Sequence, residues 1–373
     1  MTTVSAWRRL DRAQPLLAGT LALLGVMTIY SAGADWGRQL VWIALGVVAY
    51  VAATWFDYRR LLAFAPGIYA AMVLLLTAVH LVGHSALGAR RWLSVAGFPL
   101  EPSELSKLAL VVVLAALLSR AEKLSWRNFA IAIAITAPAA ALILTQPDLG
   151  TSIVFAAIFG GMLFVGGARP AQLLSLAAGA AVTLPALPLV LHGYQRARLA
   201  IFLDPNSDPL GAGYNLLQAR IAIGSGGFFG RGWLQGLQGQ LGFVPERATD
   251  FVFATFAEEF GLLGSLILLT LFGLLLIRVL GSASVAPDRF GQLVAGGVFA
   301  MVFVQVVENV GMNVGLLPIA GIPLPLISYG GSATITTLAG LGLVQSVMVR
   351  RRSIAHPERH LPPLGTITRR AQA

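Results

Sequence analysis

Polar and apolar positions in this chain alternate on a long scale rather than a short one. Long, mainly apolar runs occupy 16–30, 40–56, 61–82, 105–118, 129–144, 153–165 and 262–277. A bilayer-spanning helix needs roughly 17–25 mainly apolar residues, and most of these runs approach that length once their mildly polar flanks are included. Inside hydrocarbon only helices and closed barrels satisfy their backbone groups, and runs this long are not the short alternating segments of a barrel. The pattern predicts an all-α polytopic membrane protein of about ten transmembrane helices, near 15–33, 39–56, 61–83, 104–119, 128–145, 149–166, 171–191, 251–277, 291–316 and 329–349. One polar stretch, 192–250, predicts a large loop between helices 7 and 8. The chain reads as a single membrane domain over 1–373, ending in a basic, Pro-containing tail at 350–373 that is expected to be disordered.

Composition agrees with a lipid solvent. Charged residues are 11% of the 373 and hydrophobic residues 57%, whereas soluble domains carry about 25% charged residues. The formal charge of +10 invites a nucleic-acid reading. Its placement excludes one, because the cations lie between the apolar runs and not on one face. Seventeen of the 26 Lys and Arg fall in the N-tail, the C-tail and the connections at 57–60, 119–127, 166–170 and 278–290. Eight fall on the other side, five of them within 192–250, with Lys107 near a helix end. The excess of cations in cytoplasmic loops then predicts cytoplasmic termini and an extracytoplasmic 192–250 loop. Arg8, Arg9 and Arg12 precede the first span, but no small-residue cleavage site follows it, so an uncleaved helix is expected. With no cysteine, disulfides, thiolate catalysis and Cys-based metal sites are excluded.

Charges near membrane depth are expensive and mark candidate chemistry. The stretch EPSELSK at 101–107 opens the fourth span. Pro102 suits a first helical turn, Glu104 suits the positive end of the helix dipole, and Glu104 and Lys107 share a face. Only two of the 26 cations are lysine, Lys107 and Lys123, so a lysine one turn inside this helix hints at a need for a compact cation. A snorkelling interfacial pair is the plainer explanation. Asp148, in the short connection Gln146-Pro147-Asp148, caps a helix or serves a site. Asp250, where the loop meets the eighth span, carries the same two readings. Glu258, Glu259, Gln305, Glu308, Asn309 and Asn313 lie within spans; inter-helix hydrogen bonding accounts for such residues, and is the favoured role for Glu308, Asn309 and Asn313.

The loop itself holds Arg196, Arg198, Arg220 and Arg231, together with glycines at 224, 226, 227, 230, 232, 236, 239 and 242. The glycine spacing is not a nucleotide cradle, because no Gly-Lys-Ser/Thr follows and no strand precedes it. Irregular backbone lying over or dipping into the membrane face is expected instead. Each arginine singly fits a solvated or headgroup-facing role. Four beside glycines fit paired binding of phosphate. Carboxylates, one lysine and arginines gathered near one membrane surface favour chemistry on an anionic lipid headgroup over transport, which uses a midplane site between repeats.

Three stretches resemble the shape, elongation, division and sporulation family of multispan peptidoglycan polymerases: QARIAIGSGGFFGRG at 218–232, VPERATDFVFA at 244–254 and GLLPIAGIPLPLISYGGS at 315–332. The EPSELSK element, the span count and the long loop also match. The segments at 321–325 and 208–218 are most similar to the elongation branch. The resemblance places the family's essential loop aspartate on Asp250, its helix-borne glutamate and lysine on Glu104 and Lys107, and its Gln-Pro-Asp aspartate on Asp148. Where the family often has His before Thr-Asp-Phe, Ala248 stands here, which leaves a carboxylate and not an imidazole as candidate base. The resemblance implies glycan polymerisation from lipid II, with Asp250, Glu104 and Lys107 catalytic and Asp148, Arg196, Arg198, Arg220, Arg231 and Glu246 binding substrate. A divalent cation, Mg²⁺ or Mn²⁺, is compatible with such oxygen ligands, with Asp250 and Glu104 as candidate ligands; no organic cofactor is expected. Implied partners are a class B penicillin-binding transpeptidase and other elongation-complex membrane proteins. A lipid II translocase and a non-enzymatic scaffold are the alternatives.

Overall fold

The computed structural model describes residues 9–86, 89–95, 98–120, 123–146, 148–183, 193–204 and 211–351. Helices stand at each of the ten predicted places: α1 (Ala13–Ser31), α2 (Trp36–Trp55), α3 (Arg60–Val82), α4 (Pro102–Leu118), α5 (Trp126–Thr145), α6 (Leu149–Val165), α7 (Pro170–Thr183), α11 (Val252–Ser284), α12 (Arg289–Val314) and α13 (Gly331–Val349). Seven of these are long and apolar enough to cross a membrane. The other three, α4, α6 and α7, have 17, 17 and 14 residues. The tail beyond 351, like 184–192 and 205–210, lies outside the described residues.

Two connections differ from expectation. The segment before α4, for which no regular structure is predicted, carries a small antiparallel sheet of β1 (His84–Ala86), β2 (Ala89–Val95) and β3 (Phe98–Leu100) in that order. The segment 192–250, expected as irregular backbone, contains α8 (Gly193–Leu203), α9 (Ala212–Gly226) and the single turn α10 (Leu237–Gln240). Backbone near a membrane must satisfy its own hydrogen bonds, and helices do so locally.

The bundle is organised around α12 and α13. Within their most apolar 18-residue stretches 72% and 83% of the residues are buried, against 22% for α2 and α3. Small residues permit this. Atoms added at Gly46 would strike Leu338, and at Gly342 would strike the Tyr50 backbone, so α2 and α13 approach backbone to backbone. Outward-facing Leu16, Leu74, Leu81 and Phe164 are exposed, as lipid-facing side chains should be.

One membrane end is pinned by charge. Asp11, buried ahead of α1, takes two hydrogen bonds from Arg278 on α11, at 2.8 and 2.9 Å. Asp288 caps α12 through the Gly291 N–H and accepts from the Tyr58 hydroxyl at 2.6 Å and the Arg59 guanidinium at 2.8 Å. Burial acts to raise the Asp288 carboxyl, but these donors outweigh it and hold the group below the ordinary carboxylate range.

At the opposite end α11 is broken. Gly261 has φ 66° and ψ −165°, conformations suited to glycine, and segment 226–232 docks into the break. Arg231 and Gly232 N–H donate to the Glu258 and Glu259 carbonyls at 3.0 Å, while Leu262 and Leu263 N–H donate to the Gly227 and Phe228 carbonyls at 2.9 and 3.0 Å. The side chains follow suit. Glu258 accepts from the Gln238 and Gly239 N–H groups, and Glu259 from Leu234 N–H and the Ser31 hydroxyl. These two glutamates therefore join the loop to the helix.

Candidate functional site

Four of the helices that begin at that same end, α4, α6, α11 and α13, bring their first turns around one space. Glu101 precedes α4, with Pro102 at its first position, and its N–H donates to the Ser332 hydroxyl at 2.9 Å, joining the start of α4 to that of α13. Asp148 caps α6 through the Thr151 N–H at 3.0 Å. Asp250 immediately precedes the cap of α11. Between these starts lies a cavity of about 280 Å³, lined among others by Glu101, Glu104, Thr151, Arg198, Glu246, Asp250 and the Gly330–Ser332 turn.

The acidic face of this cavity is held from behind. Asn309 and Asn313, one turn apart on α12, donate to the Asp250 carbonyl at 2.9 and 3.0 Å. Asn309 also donates to the Ile322 carbonyl, and the Asn313 oxygen accepts the Ala254 N–H. Asn313 and Asn309 thereby fix the start of α11 against the irregular 315–330 segment. From the other side the Ser328 hydroxyl donates to the Thr249 carbonyl and Tyr329 N–H to the Ala248 carbonyl.

Gly321, at φ +74°, brings the key groups together. A Cβ built there would sit 3.2 Å from both the Arg198 guanidinium and Asp250 Oδ2, so the two side chains converge on one point. Arg198 is steadied by donating to the Ile319 carbonyl at 3.1 Å. Glu246, in a left-handed conformation at φ 50°, lines the rim and accepts from the Thr249 hydroxyl.

Lys107 lies one turn below Glu104. Its ammonium donates to Glu104 at 2.6 Å, and both side chains are almost wholly buried, 1% and 3% exposed. With its amide turned so that oxygen faces the lysine, Gln305 accepts a second hydrogen bond at 2.9 Å. Glu308, one turn further along α12, is buried within electrostatic reach of Lys107 and Asp148. A snorkelling surface pair is thus excluded: Lys107 is buried, paired with Glu104 and within electrostatic reach of Glu308.

Of the residues singled out in the sequence, Glu104, Arg198, Glu246 and Asp250 line one cavity, with Lys107 and Asp148 directly behind it. Three arginines stand elsewhere. Arg196 is exposed on α8 and does not line the cavity. Arg220 donates to the Gly315 carbonyl, and Arg231 to the Ser225 carbonyl of its own loop. Sequence proximity to glycines did not translate into shared space, because Gly226, Gly230, Gly236 and Gly239 accommodate α11. Trp42, Trp92, Tyr329 and Gly321 were not anticipated in the lining. The 315–332 motif contained the last two, but nothing in its spacing says which residue faces a cavity. Among the described residues no group of three or more His, Cys, Asp or Glu is gathered closely enough to hold a metal ion by itself.

Comparison with known proteins bears on the chain as a whole. The family described as cell cycle protein, FTSW_RODA_SPOVE, matches residues 16–353. The peptidoglycan glycosyltransferase MrdB of Escherichia coli K12 is 42% identical over 357 residues, covering 93% of this chain and 95% of that protein. The peptidoglycan glycosyltransferase RodA of Treponema pallidum is 34% identical, covering 90% and 97%. Among solved structures, the chain resembles the rod shape determining protein RodA of Thermus thermophilus with TM-score 0.70 and 33% identity, over 92% of this chain and 98% of that one. A chain from a structure describing polymerization and crosslinking by a peptidoglycan synthase complex gives TM-score 0.79 and 35% identity, over 91% and 97%.

Proposed function

This chain belongs to the FTSW_RODA_SPOVE family of cell cycle proteins, and from that premise we infer that it is a membrane-embedded peptidoglycan glycosyltransferase that polymerises lipid II into β-1,4 glycan. One observation carries the reading: Glu104, Arg198 and Asp250, distant in sequence, line a single cavity onto which four helix N-termini open. Each such terminus carries roughly half a positive charge, so four together favour an anion such as a diphosphate.

Asp250 acts as general base. It takes the proton of the acceptor's 4-hydroxyl as that oxygen bonds to the donor's anomeric carbon. The bond from that carbon to the diphosphate oxygen breaks, its electron pair leaves with undecaprenyl diphosphate, and the α-linkage inverts to β. Arg198, whose guanidinium converges with Asp250 at Gly321, meets the charge developing on the diphosphate. Lys107 holds Glu104 in the wall and balances the carboxylates behind it. Asn309 and Asn313 are positioning residues, acting through the Asp250 backbone.

The residues also fit a divalent cation shared with substrate. Mg²⁺ is bound by one or two carboxylates plus phosphate oxygens rather than by an all-protein cage, and Asp250 and Glu104 line the same cavity without a three-ligand cluster. The ion would supply charge neutralisation at the diphosphate.

The excess of Lys and Arg at the Asp11–Arg278 end supports a cytoplasmic location for both termini and an extracytoplasmic cavity in the inner membrane. A class B penicillin-binding transpeptidase is the proposed partner, in keeping with the resemblance to a chain of a peptidoglycan synthase complex. The test is polymerisation of purified lipid II by the protein with that partner, beside its Asp250→Asn and Asp250→Ala forms. Both variants should be inactive while still binding the partner. Full activity in Asp250→Ala would refute the assignment, and headgroup translocation in vesicles without polymer would replace it by lipid II transport.

A further inference from the structure

The segment that docks into the break of α11 has an inverted character. Its small residues face the protein: Gly226 lies against the Ala257 carbonyl, Gly230 against Glu259, and Gly236 and Gly239 against the Glu258 carboxylate. Its large apolar side chains face outward. Phe229 is 78% exposed, Leu241 64%, and Phe228, Leu237 and Phe243 are exposed as well. Such an arrangement is unfavourable in water, where apolar area costs about 25 cal/mol per Å², and soluble surfaces seldom gather it.

Two helices measure where this segment lies. From the Asp11–Arg278 pair, the stretch of α11 between Arg278 and Gly261 covers about 26 Å at ~1.5 Å per residue. The stretch of α1 from Ala13 to Tyr30 covers the same length. Both distances approach the roughly 30 Å of a hydrocarbon core. The segment is bonded to the far end of each ruler, through the backbone pairs with 258–263 and through Trp233, whose indole N–H donates to the Met27 carbonyl at 3.2 Å. Trp233 also packs on Tyr30, which packs on Trp36, with centroids 5.9 and 6.0 Å apart. Aromatic rings of this kind gather at the membrane–water boundary.

We propose that residues 226–243 form an interfacial wedge that seats Phe228, Phe229, Leu237, Leu241 and Phe243 in the lipid boundary between headgroups and acyl chains. The occupant of this face is lipid. Because Glu258 and Glu259 bond the wedge to α11, it also sets the height of Asp250, just ahead of the start of that helix, relative to the headgroups.

The chain has no cysteine, so single-cysteine variants can be spin-labelled cleanly. Phe229→Cys, Leu237→Cys and Leu241→Cys would be compared in phosphatidylethanolamine–phosphatidylglycerol nanodiscs with Leu74→Cys on the exposed face of α3 and Glu246→Cys in the cavity. Wedge and α3 variants that still polymerise lipid II are taken as folded, Glu246→Cys is judged folded by its binding of the transpeptidase partner, and three wedge positions guard against the loss of one. The ratio of oxygen to nickel-chelate collision rates should lie with Leu74→Cys, several-fold above Glu246→Cys. Ratios at the Glu246→Cys level would overturn the proposal. An aqueous ratio that becomes protected only when the transpeptidase is added would overturn it too, assigning the face to protein.

Discussion

Replacing Lys107 by methionine removes the cation that faces Glu104 at 2.6 Å and lies within electrostatic reach of Glu308. Breaking a buried ion pair by deleting one partner costs about 3–5 kcal/mol, because the survivor's charge is left without compensation. Glu104→Gln should cost less, since Lys107 keeps Gln305 and the neighbouring carboxylates. In the double variant Glu104→Gln/Lys107→Met neither charge is stranded at this pair, and replacement of whole buried pairs is often near neutral. The cycle should therefore show a coupling of about 2–3 kcal/mol, read from unfolding in mixed micelles titrated with sodium dodecyl sulfate. Polymerisation of lipid II should remain lost in the double variant despite its recovered stability, because Glu104 lines the cavity. Additive losses would refute the ion pair as an energetic unit. Recovery of polymerisation together with stability would reduce the pair to scaffolding.

Three further outcomes follow from the geometry. Gly321→Ala places a methyl group 3.2 Å from both Arg198 and Asp250 at a positive φ; it should destabilise by about 1–2 kcal/mol and lower turnover more than partner binding, and unchanged turnover would contradict the convergence at that point. Arg198→Ala should weaken competition by free undecaprenyl diphosphate in the polymerisation assay, whereas Arg220→Ala should leave it unaltered, since that guanidinium is engaged with Gly315. Asp288 is held below the ordinary carboxylate range, so its contribution is present above the unfolded-state carboxylate value and fades as pH falls through its own lower one. Acid unfolding of Asp288→Asn should accordingly converge with that of the parent at low pH and separate from it near neutrality; a constant offset across the range would rule this out.

The places of the helices were legible because each apolar run decides locally. A segment such as 262–277 transfers into lipid on its own composition, and its neighbours hardly alter that balance. Glu104 and Lys107 were legible as a pair for a similar reason, since residues three positions apart on a helix share a face. The strands at 84–100 and the helices within 192–250 were harder to foresee. They are short, and polar and glycine-rich segments lack the periodicity that distinguishes helix from loop.

Arg198 and Arg231 show where local reasoning stops. Both are loop arginines, one near the loop's start and one among glycines, and the sequence offers no ground for preferring the first. The structure does so through contacts between remote segments: Gly321 leaves room for Arg198 and Asp250 together, and Asn309 and Asn313 hold Asp250 in place. Glu258 and Asp250, two carboxylates eight positions apart, are divided in the same way, one tethering the loop and the other lining the cavity. By itself, then, the sequence determined that the chain lives in a membrane, where its helices run and which motifs it carries, because hydrophobic transfer is set residue by residue along the chain. Tertiary structure alone decided which charges share one space, because that depends on packing between helices whose contacts leave no periodic trace in the sequence.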